Sequence, residues 1–321
     1  MSLQDAITKI EKAYGKGNVM RLDEARPIQE DVLNTGIFGL DWALGIGGFP
    51  IGRIIEVVGQ EGVGKSTIAL SAVAEAQKHG FTCAYIDAEH ALNVDFAKML
   101  GVDAKSLVIS QPDYGEQGLE IVEMLISSND VRLIVVDSVA ALVPKAELEA
   151  EMVDMQMGLQ ARMMSKALRK LTAIMSKAKC SVIFINQLRE KIGIAYGDPT
   201  FTPGGRALKF YSSVRLSASR GEQYKEGDRV VGHEVKIKVV KNKVAPPYKT
   251  CSFDLSYTKG ISSEGTILDL AVEKGLIKKS GAWYSYEDNK VGQGAEAAKN
   301  YLRDNPEFKQ MIIGRVTANE E

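Results

Sequence analysis

The chain has 321 residues, of which 45% are hydrophobic, and a formal net charge of −1, which together describe an ordinary globular protein with a sizeable core. The near-neutral charge gives no global reason to expect nucleic-acid binding, so such a function must rest on local basic clusters. We expect a cytoplasmic protein that does not bind membranes, because no apolar run reaches the roughly 18 residues of a membrane span and no secretory signal opens the chain. The three cysteines, Cys83, Cys180 and Cys251, lack the spacing of a zinc site or a disulfide framework.

The first predicted element is a short amphipathic helix over residues 3–14. Ile7, Ile10, Ala13 and Tyr14 recur at helical spacing, and the glycine-containing stretch 15–18 ends the pattern. A helix this short cannot bury its apolar face alone. It must pack either on the chain's own core or on a neighbouring subunit, and the sequence does not choose between these.

From about residue 33 onward, apolar runs alternate with helical stretches, which is typical of a parallel sheet with crossover helices. The runs predict buried strands, and two later alternating stretches predict half-exposed strands that extend the same sheet. The buried strands span residues 54–58, 82–86, 133–136 and 181–185, and the half-exposed strands 214–217 and 235–240. The predicted fold class is therefore α/β.

After residue 262 the pattern changes to a helix at 267–273, an aromatic strand at 283–286 and further helices near Pro306. This combination predicts a small α+β domain at the C-terminus. We divide the chain into an N-terminal helix and arm (1–32), a core (33–262) and a C-terminal domain (263–321).

A phosphate-binding loop follows the first buried strand. Residues 59–66 (GQEGVGKS) match G-x-x-x-x-G-K-[ST] completely and precede a helical run, as the motif requires. Glycines let backbone N–H groups surround a phosphate, Lys65 offers an ammonium to the β- and γ-oxygens, and Ser66 would hold Mg²⁺. The sequence thus predicts ATP and Mg²⁺ as ligands. The predicted nucleotide set is Gly59, Gln60, Glu61, Gly62, Val63, Gly64, Lys65, Ser66 and Thr67.

Three further polar residues close buried strands, and in an open parallel sheet the ligand lies at this edge. Asp137 would face the Mg²⁺ shell, Glu89 could orient and deprotonate the water that attacks the γ-phosphate, and the Gln187 amide could sense that phosphate. Each also has a purely structural reading, as a helix cap or as a polar residue leaving a strand.

Two stretches have features suited to nucleic acid. The connection at 188–206 is long, basic and rich in glycine and carries aromatic residues, a composition that suits phosphate contacts and insertion against bases of a single strand. The stretch 149–158 precedes a helix with basic residues at helical spacing. These residues are Arg162, Lys166, Arg169 and Lys170. A solvated helix face is an equally good reading of their spacing.

Lys241 and Lys243 leave a predicted strand just before two prolines. Lysines at such a position are usually solvated. They could also reach a phosphate, including one bound by a neighbouring subunit.

Taken together, these motifs resemble the bacterial RecA recombinase family. The resemblance runs from about residue 10 to residue 294. It rests on DAEHAL (87–92), VVDSVAALVPKAE (135–147), MGLQARMM (157–164), GGRALKFY (204–211) and GAWYSY (281–286). It implies a P-loop RecA-type core with a mostly parallel central sheet, an N-terminal helix arm and a small α+β C-terminal domain.

The resemblance also implies a function: a DNA-dependent ATPase that forms helical filaments on single-stranded DNA, with ATP between adjacent subunits. Such a filament pairs with duplex DNA, exchanges strands in recombinational repair, and stimulates self-cleavage of a LexA-type repressor in the SOS response. The chain's partners would be single-stranded and duplex DNA, copies of itself and the repressor.

Individual roles follow residue by residue from the resemblance. Glu89 would activate water, Asp137 would belong to the metal shell, Gln187 would sense the nucleotide, and Phe96 would stack on adenine. Lys241 and Lys243 would reach across the subunit interface to the γ-phosphate, Phe210 would pack one subunit on the next, and the N-terminal helix would dock on a neighbour. The stretches around 151–157 and 188–202 would be the first and second DNA loops. The implied DNA contacts are Met157, Arg162, Arg169, Arg189, Ile192, Gly204 and Gly205.

The chain departs from the family pattern in places. Asn93 stands where many members have Asp near the adenine, and Thr200 and Phe201 replace the usual Glu-Thr of the second DNA loop. The N-terminus is short and a long acidic C-terminal tail is lacking, so we expect less restrained access of duplex DNA.

Three rival readings share the P-loop. A replicative helicase or a zinc-bearing RadA-like repair ATPase shares the core, but the latter needs an N-terminal four-cysteine cluster that this sequence lacks. A small-molecule kinase would turn over ATP without DNA. A DNA scaffold that binds ATP without hydrolysing it would not need Glu89.

Overall fold

The computed structural model describes residues 2–16, 19, 21, 31–151, 158–190, 200–287 and 289–318. The chain divides into two compact units, 1–31 and 32–321. In the first unit, helix α1 (Leu3–Tyr14) confirms the predicted helix to the residue. Ser2 caps it, because the Ser2 hydroxyl accepts from the Asp5 N–H while the Asp5 carboxylate accepts from the Ser2 N–H. Along α1 every residue is at least partly exposed.

The second unit is built on a sheet of nine strands among the described residues, in the order β13-β12-β11-β10-β3-β7-β6-β4-β5. The run from β10 to β5 is parallel and the run from β10 to β13 is antiparallel. The strands are β3 (Ile54–Gly59), β4 (Thr82–Asp87), β5 (Val108–Ser110), β6 (Val131–Asp137), β7 (Ser181–Gln187), β10 (Val214–Glu226), β11 (Arg229–Asn242), β12 (Thr250–Ser256) and β13 (Gly260–Ser262). All six predicted strands of the core are thereby confirmed.

Short strands pair outside this sheet. They are β1 (Val32–Leu33) with β2 (Phe49–Pro50), and β8 (Arg189–Glu190) with β9 (Thr200–Phe201). The second pair brings together the two ends of the long basic connection predicted from sequence.

Helices cover both faces of the large sheet. They are α2 (Phe38–Leu44), α3 (Lys65–Lys78), α4 (Val94–Met99), α5 (Gly115–Ser127), α6 (Lys145–Glu149), α7 (Leu159–Ala178) and α8 (Ala207–Tyr211), with a 3₁₀ turn at Val139–Ala141. Because successive strand residues point to opposite faces, Tyr85 packs with α2 and α3 in one apolar cluster while Ile86 packs with α5 and α7 in the other. Burial on both faces explains why the strands read as continuous apolar runs.

The C-terminal segment has its own apolar cluster. It contains α9 (Glu264–Glu273), a three-stranded antiparallel sheet and two further helices, as predicted for a small α+β domain. These elements are β14 (Lys278–Ser280), β15 (Trp283–Tyr286), β16 (Asn289–Gln293), α10 (Ala295–Asp304) and α11 (Pro306–Ala318). The domain limits proposed from the sequence remain predictions.

Candidate nucleotide and DNA site

The ends of four parallel strands meet at one edge of the large sheet. Gly59 at the end of β3 pairs with Gln187 at the end of β7, and Asp87 at the end of β4 pairs with Asp137 at the end of β6. This register brings the phosphate-binding loop, Glu89, Asp137 and Gln187 to the same edge, where ligands of open α/β sheets bind.

The loop between β3 and α3 has the backbone of a phosphate cradle. Gly62 and Gly64 adopt φ values of 67° and 96°, a conformation that favours glycine. Gly64 is also the N-cap of α3, and it has no side chain to accept from the N–H groups of the first helical turn. These N–H groups and the positive end of the helix dipole are therefore left for an anion.

Lys65 begins α3 and is only 8% exposed. Its Nζ donates to the carbonyl oxygen of Gln60 at 2.7 Å, so the side chain folds back along the loop. Burial lowers the pKa of the Lys65 ammonium, while the nearby carboxylates of Asp137, Glu89 and Glu61 act in the opposite direction. A phosphate would add the negative partner that this buried cation favours.

Ser66 and Asp137 contact each other directly. The Ser66 hydroxyl donates to Asp137 Oδ2 at 2.7 Å, and the buried Tyr85 hydroxyl donates to the same oxygen at 2.5 Å. Burial raises the pKa of Asp137, whereas these two hydrogen bonds oppose the rise. A hydroxyl beside a carboxylate is a donor set suited to Mg²⁺, which binds through few protein oxygens and phosphate. The residues present therefore fit the predicted metal.

Glu89 is exposed just beyond β4, and its oxygen Oε1 is held from two sides. Ser138 Oγ donates to Oε1, and Gln187 Nε2 donates to it at 3.3 Å. The backbone is fixed as well, because the Glu89 N–H donates to the Asp137 carbonyl at 3.3 Å. Two candidate residues, Glu89 and Gln187, thus form one hydrogen-bonded pair next to Asp137.

Phe96 lies on α4, partly buried against the apolar cluster that contains Tyr85. Asn93 caps this helix, with Oδ1 accepting from the Phe96 N–H at 2.9 Å. The departure at Asn93 therefore keeps a capping role. Adenine stacking by Phe96 remains a prediction.

Lys241 and Lys243 are not part of this cluster. Lys241 on β11 pairs with Arg215 on β10, and Arg215 in turn pairs with Glu56 on β3. The Lys243 N–H donates to the Ser213 carbonyl just before β10. Lys241 is thus level with Glu56 and Lys243 with Ile54 at the start of β3, which places them about 10 and 16 Å along the strand from Gly59 at about 3.3 Å per residue. Lys241 Nζ donates to the carbonyls of Lys209 and Phe210 at 2.7 and 3.0 Å, and Lys243 Nζ to that of Phe210 at 3.4 Å.

Two protein-family models match this chain. The RecA N-terminal domain model matches residues 1–262, and the RecA C-terminal domain model matches residues 265–320. The chain belongs to the RecA family. Curated relatives include Protein RecA of Clostridium novyi, 59% identical over 98% of this chain and 90% of the relative. Protein RecA of Clostridioides difficile is 56% identical over 100% of this chain and 93% of the relative. Protein RecA of Enterococcus hirae is 56% identical over 99% of this chain and 92% of the relative.

Membership in the RecA family makes the chain a nucleotide- and DNA-binding protein, a DNA-dependent ATPase of recombination and repair that assembles with copies of itself. Among the described helices, none is long and apolar enough to cross a bilayer. Within the same residues, His, Cys, Asp and Glu side chains form no group of three that could hold a metal ion alone.

Five of the seven predicted DNA contacts of this RecA-family chain are among the described residues. Arg162 and Arg169 are exposed on α7, and Arg189 is exposed two residues beyond Gln187. Met157 and Ile192 lie outside the described residues. Gly204 and Gly205 have φ values of 80° and 77°. Both also approach other elements closely: a Cβ on Gly204 would lie 2.7 Å from Val139 Cγ1, and one on Gly205 2.7 Å from Ala161 Cβ.

Sequence reasoning missed several residues that shape the site. Tyr85 looked like any buried strand residue, and only the structure places its hydroxyl on Asp137. Arg220 on β10 was also missed, although its Nη2 donates to the carbonyl of Gly62 in the phosphate loop at 2.7 Å. Ser138 could have been found, since it follows Asp137 directly at the strand end.

Proposed function

We propose that the chain binds ATP with Mg²⁺ and forms helical filaments on single-stranded DNA in the cytoplasm, where it pairs that DNA with a homologous duplex and exchanges strands. The single observation that carries this proposal is the shared sheet edge that unites the phosphate loop, the Ser66–Asp137 pair and the Glu89–Gln187 pair. We propose further that the filament stimulates self-cleavage of a LexA-type repressor.

Each residue of the edge has a distinct part in this proposal. The N–H groups of 59–67 and the Lys65 ammonium bind phosphate oxygens, and Ser66 and Asp137 hold the metal. When bound, Mg²⁺ supplies positive charge that offsets the charge developing on the phosphates. Phe96 packs on the base. The binding contacts thus surround the phosphate chain from the sheet edge.

Glu89 is the candidate base for the attacking water. Its Oε1 is already occupied by Ser138 and Gln187, so the other oxygen, Oε2, is left to orient the water and accept its proton. Gln187 joins this base to the strand end that leads into the second DNA loop. A change at that loop can therefore alter how the base is held.

Assembly is supported by where Lys241 and Lys243 lie. Their Nζ atoms donate to the carbonyls of Lys209 and Phe210 and not to the phosphate loop of their own chain, and they stand toward the opposite edge of the sheet, which a head-to-tail neighbour could contact. Phe210 beside them is 68% exposed, as expected of a side chain that packs on the next subunit. The amphipathic helix α1 would dock on a neighbour in the same assembly.

The decisive test of the proposed function is ATP hydrolysis measured with and without single-stranded DNA, at low and high salt. We expect strong stimulation by DNA, lost as salt displaces the strand, because binding to phosphates by Arg162, Arg169 and Arg189 releases counterions. Equal turnover without DNA would contradict the proposal and would favour a different P-loop enzyme.

The shared site can be tested by complementation between two inactive variants. Lys243→Ala is expected to lower DNA-stimulated turnover by about 10²-fold or more, the scale on which one charge-stabilising donor acts. Glu89→Gln should be slow for a different reason. In an equal mixture, random assembly places an intact Glu89 opposite an intact Lys243 in about a quarter of the sites. Recovery of activity on mixing supports the shared site.

The measurement is steady-state hydrolysis on single-stranded DNA for each variant and for the mixture. Lys78→Ala, an exposed lysine on α3 paired with Glu75, is the control for loss of a positive charge. A mixture no more active than its components would show that Lys243 serves its own chain or no site at all.

A further inference from the structure

One side chain joins the ends of the two stretches predicted to bind DNA. Gln160 lies in the first turn of α7, directly after the first stretch, and contacts the residue that follows Pro203 at the end of the second. Its Oε1 accepts from the Gly204 N–H at 3.0 Å. Its Nε2 donates to the carbonyls of Val139 and Leu142 at 2.9 and 3.1 Å. Both N–H groups and the oxygen of the amide thus bind backbone, at three positions.

These bonds require an amide and not merely a polar side chain. Nε2 supplies two donors to two carbonyls, while Oε1 supplies an acceptor to an N–H, a combination that only Asn and Gln offer. Gly204 approaches closely enough that a Cβ there would lie 2.7 Å from Val139 Cγ1. Gln160 therefore fixes the end of the second stretch against the turn that follows Asp137 and Ser138.

The contact is one side of a closed ring of hydrogen bonds that includes the candidate base. From Val139 the chain leads back to Ser138, whose Oγ donates to Glu89 Oε1. Gln187 Nε2 donates to the same oxygen, and the Gln187 N–H donates to Asn186 Oδ1 at 3.0 Å. Asn186 Nδ2 then donates to the Pro203 carbonyl at 3.2 Å, which returns the ring to Gly204.

The Asn186 side of the ring is anchored in the sheet. Asn186 is fully buried, and its Nδ2 also lies 3.2 Å from Glu56 Oε1, while Glu56 Oε2 accepts from Arg215 Nε at 2.7 Å. The Gln160 side has no such ion pair and holds the ring together through the amide alone. Loss of Gln160 would open the ring while the Asn186 side stays in place.

We infer that Gln160 is a positioning residue that couples DNA binding at the second stretch to the orientation of Glu89. The inference rests on the proposed function, since it takes 188–206 as a DNA-binding segment. Binding of a DNA strand fixes the end of that segment at Pro203 and Gly204. Through Gln160 the same constraint reaches Val139 and Ser138, and so the oxygen of Glu89 that Ser138 holds.

The test compares Gln160→Met and Gln160→Glu with wild type. Methionine keeps the volume and loses all three bonds, whereas glutamate keeps the acceptor for Gly204 but turns a carboxylate toward two carbonyl oxygens. A negative charge in the first turn of α7 is favourable to the helix, so this variant should fold.

Two ratios are measured for each variant. One is turnover with single-stranded DNA divided by turnover without it, and the other is DNA affinity with a slowly hydrolysed ATP analogue divided by DNA affinity with ADP. Both ratios are expected to fall about tenfold in each variant, within the usual range of coupling between sites.

Gln77→Met is the matched control. Gln77 is also an amide with three bonds, to Asp103 N–H, the Asp103 carbonyl and Ser106 Oγ, but it lies at the far end of α3. Wild-type ratios in either Gln160 variant would overturn the inference, and so would an equal fall in Gln77→Met. A wild-type protein whose turnover does not respond to DNA would instead contradict the proposed function, and that result appears before any variant is made.

Discussion

Glu89→Gln is expected to slow DNA-stimulated ATP hydrolysis by about 10²- to 10⁴-fold, the usual contribution of a general base. The amide keeps the size of the side chain and can still accept from Ser138 and Gln187, but it cannot take a proton from water. Nucleotide binding and filament formation should therefore persist. Single-turnover hydrolysis and light scattering with ATP and single-stranded DNA measure the two effects separately.

Glu307→Gln is the control for this change, because Glu307 is an exposed carboxylate in the first turn of α11. It should leave hydrolysis unaltered. Wild-type turnover in Glu89→Gln would remove Glu89 from the mechanism. Loss of filaments together with turnover would mean that the carboxylate acts in assembly and not in water activation.

Lys65→Ala is expected to abolish nucleotide-dependent DNA binding and to lower hydrolysis by at least about 10²- to 10³-fold. The variant loses the buried cation and leaves Asp137, Glu89 and Glu61 without the positive charge that lies among them. A triphosphate would then add to uncompensated negative charge. DNA affinity with ATP, with ADP and without nucleotide is the measurement.

Lys78→Ala is the matched control, since it removes an exposed lysine from the same helix and only a surface ion pair is lost. Its DNA binding should keep the wild-type dependence on ATP. Undiminished ATP-dependent binding by Lys65→Ala would contradict the assignment of the phosphate loop.

Features that depend on local pattern could be predicted from the sequence. Apolar runs gave the buried strands because both faces of the sheet are covered, and the limits of α1 followed from its apolar spacing and the glycine after it. The placement of Asp137 and Gln187 also followed, because parallel strands end at one edge. Motif and topology together therefore predicted the edge at which the candidate site forms.

Contacts between distant positions could not be predicted in this way. Tyr85 and Asp137 are 52 residues apart, and Gln160 and Gly204 are 44 apart, with nothing local in either residue to indicate the partner. Gly204 was predicted as a DNA contact, and its positive φ and close approach to Val139 give it a structural reason to be glycine as well. Such reasons depend on how α7 packs on the sheet, which periodicity does not specify.

If Lys241 and Lys243 complete a neighbour's site, the two ends of a head-to-tail polymer are chemically unlike. Each internal subunit lends its lysines to one neighbour and receives those of the other. The last subunit at one end holds nucleotide in a site that receives no lysines from a neighbour. The last subunit at the opposite end carries lysines that complete no nucleotide site. Hydrolysis would then loosen one terminus and spare the other, so that subunits are gained and lost with a direction. Turnover per subunit would rise with polymer length, as the idle terminus becomes a smaller share of the whole.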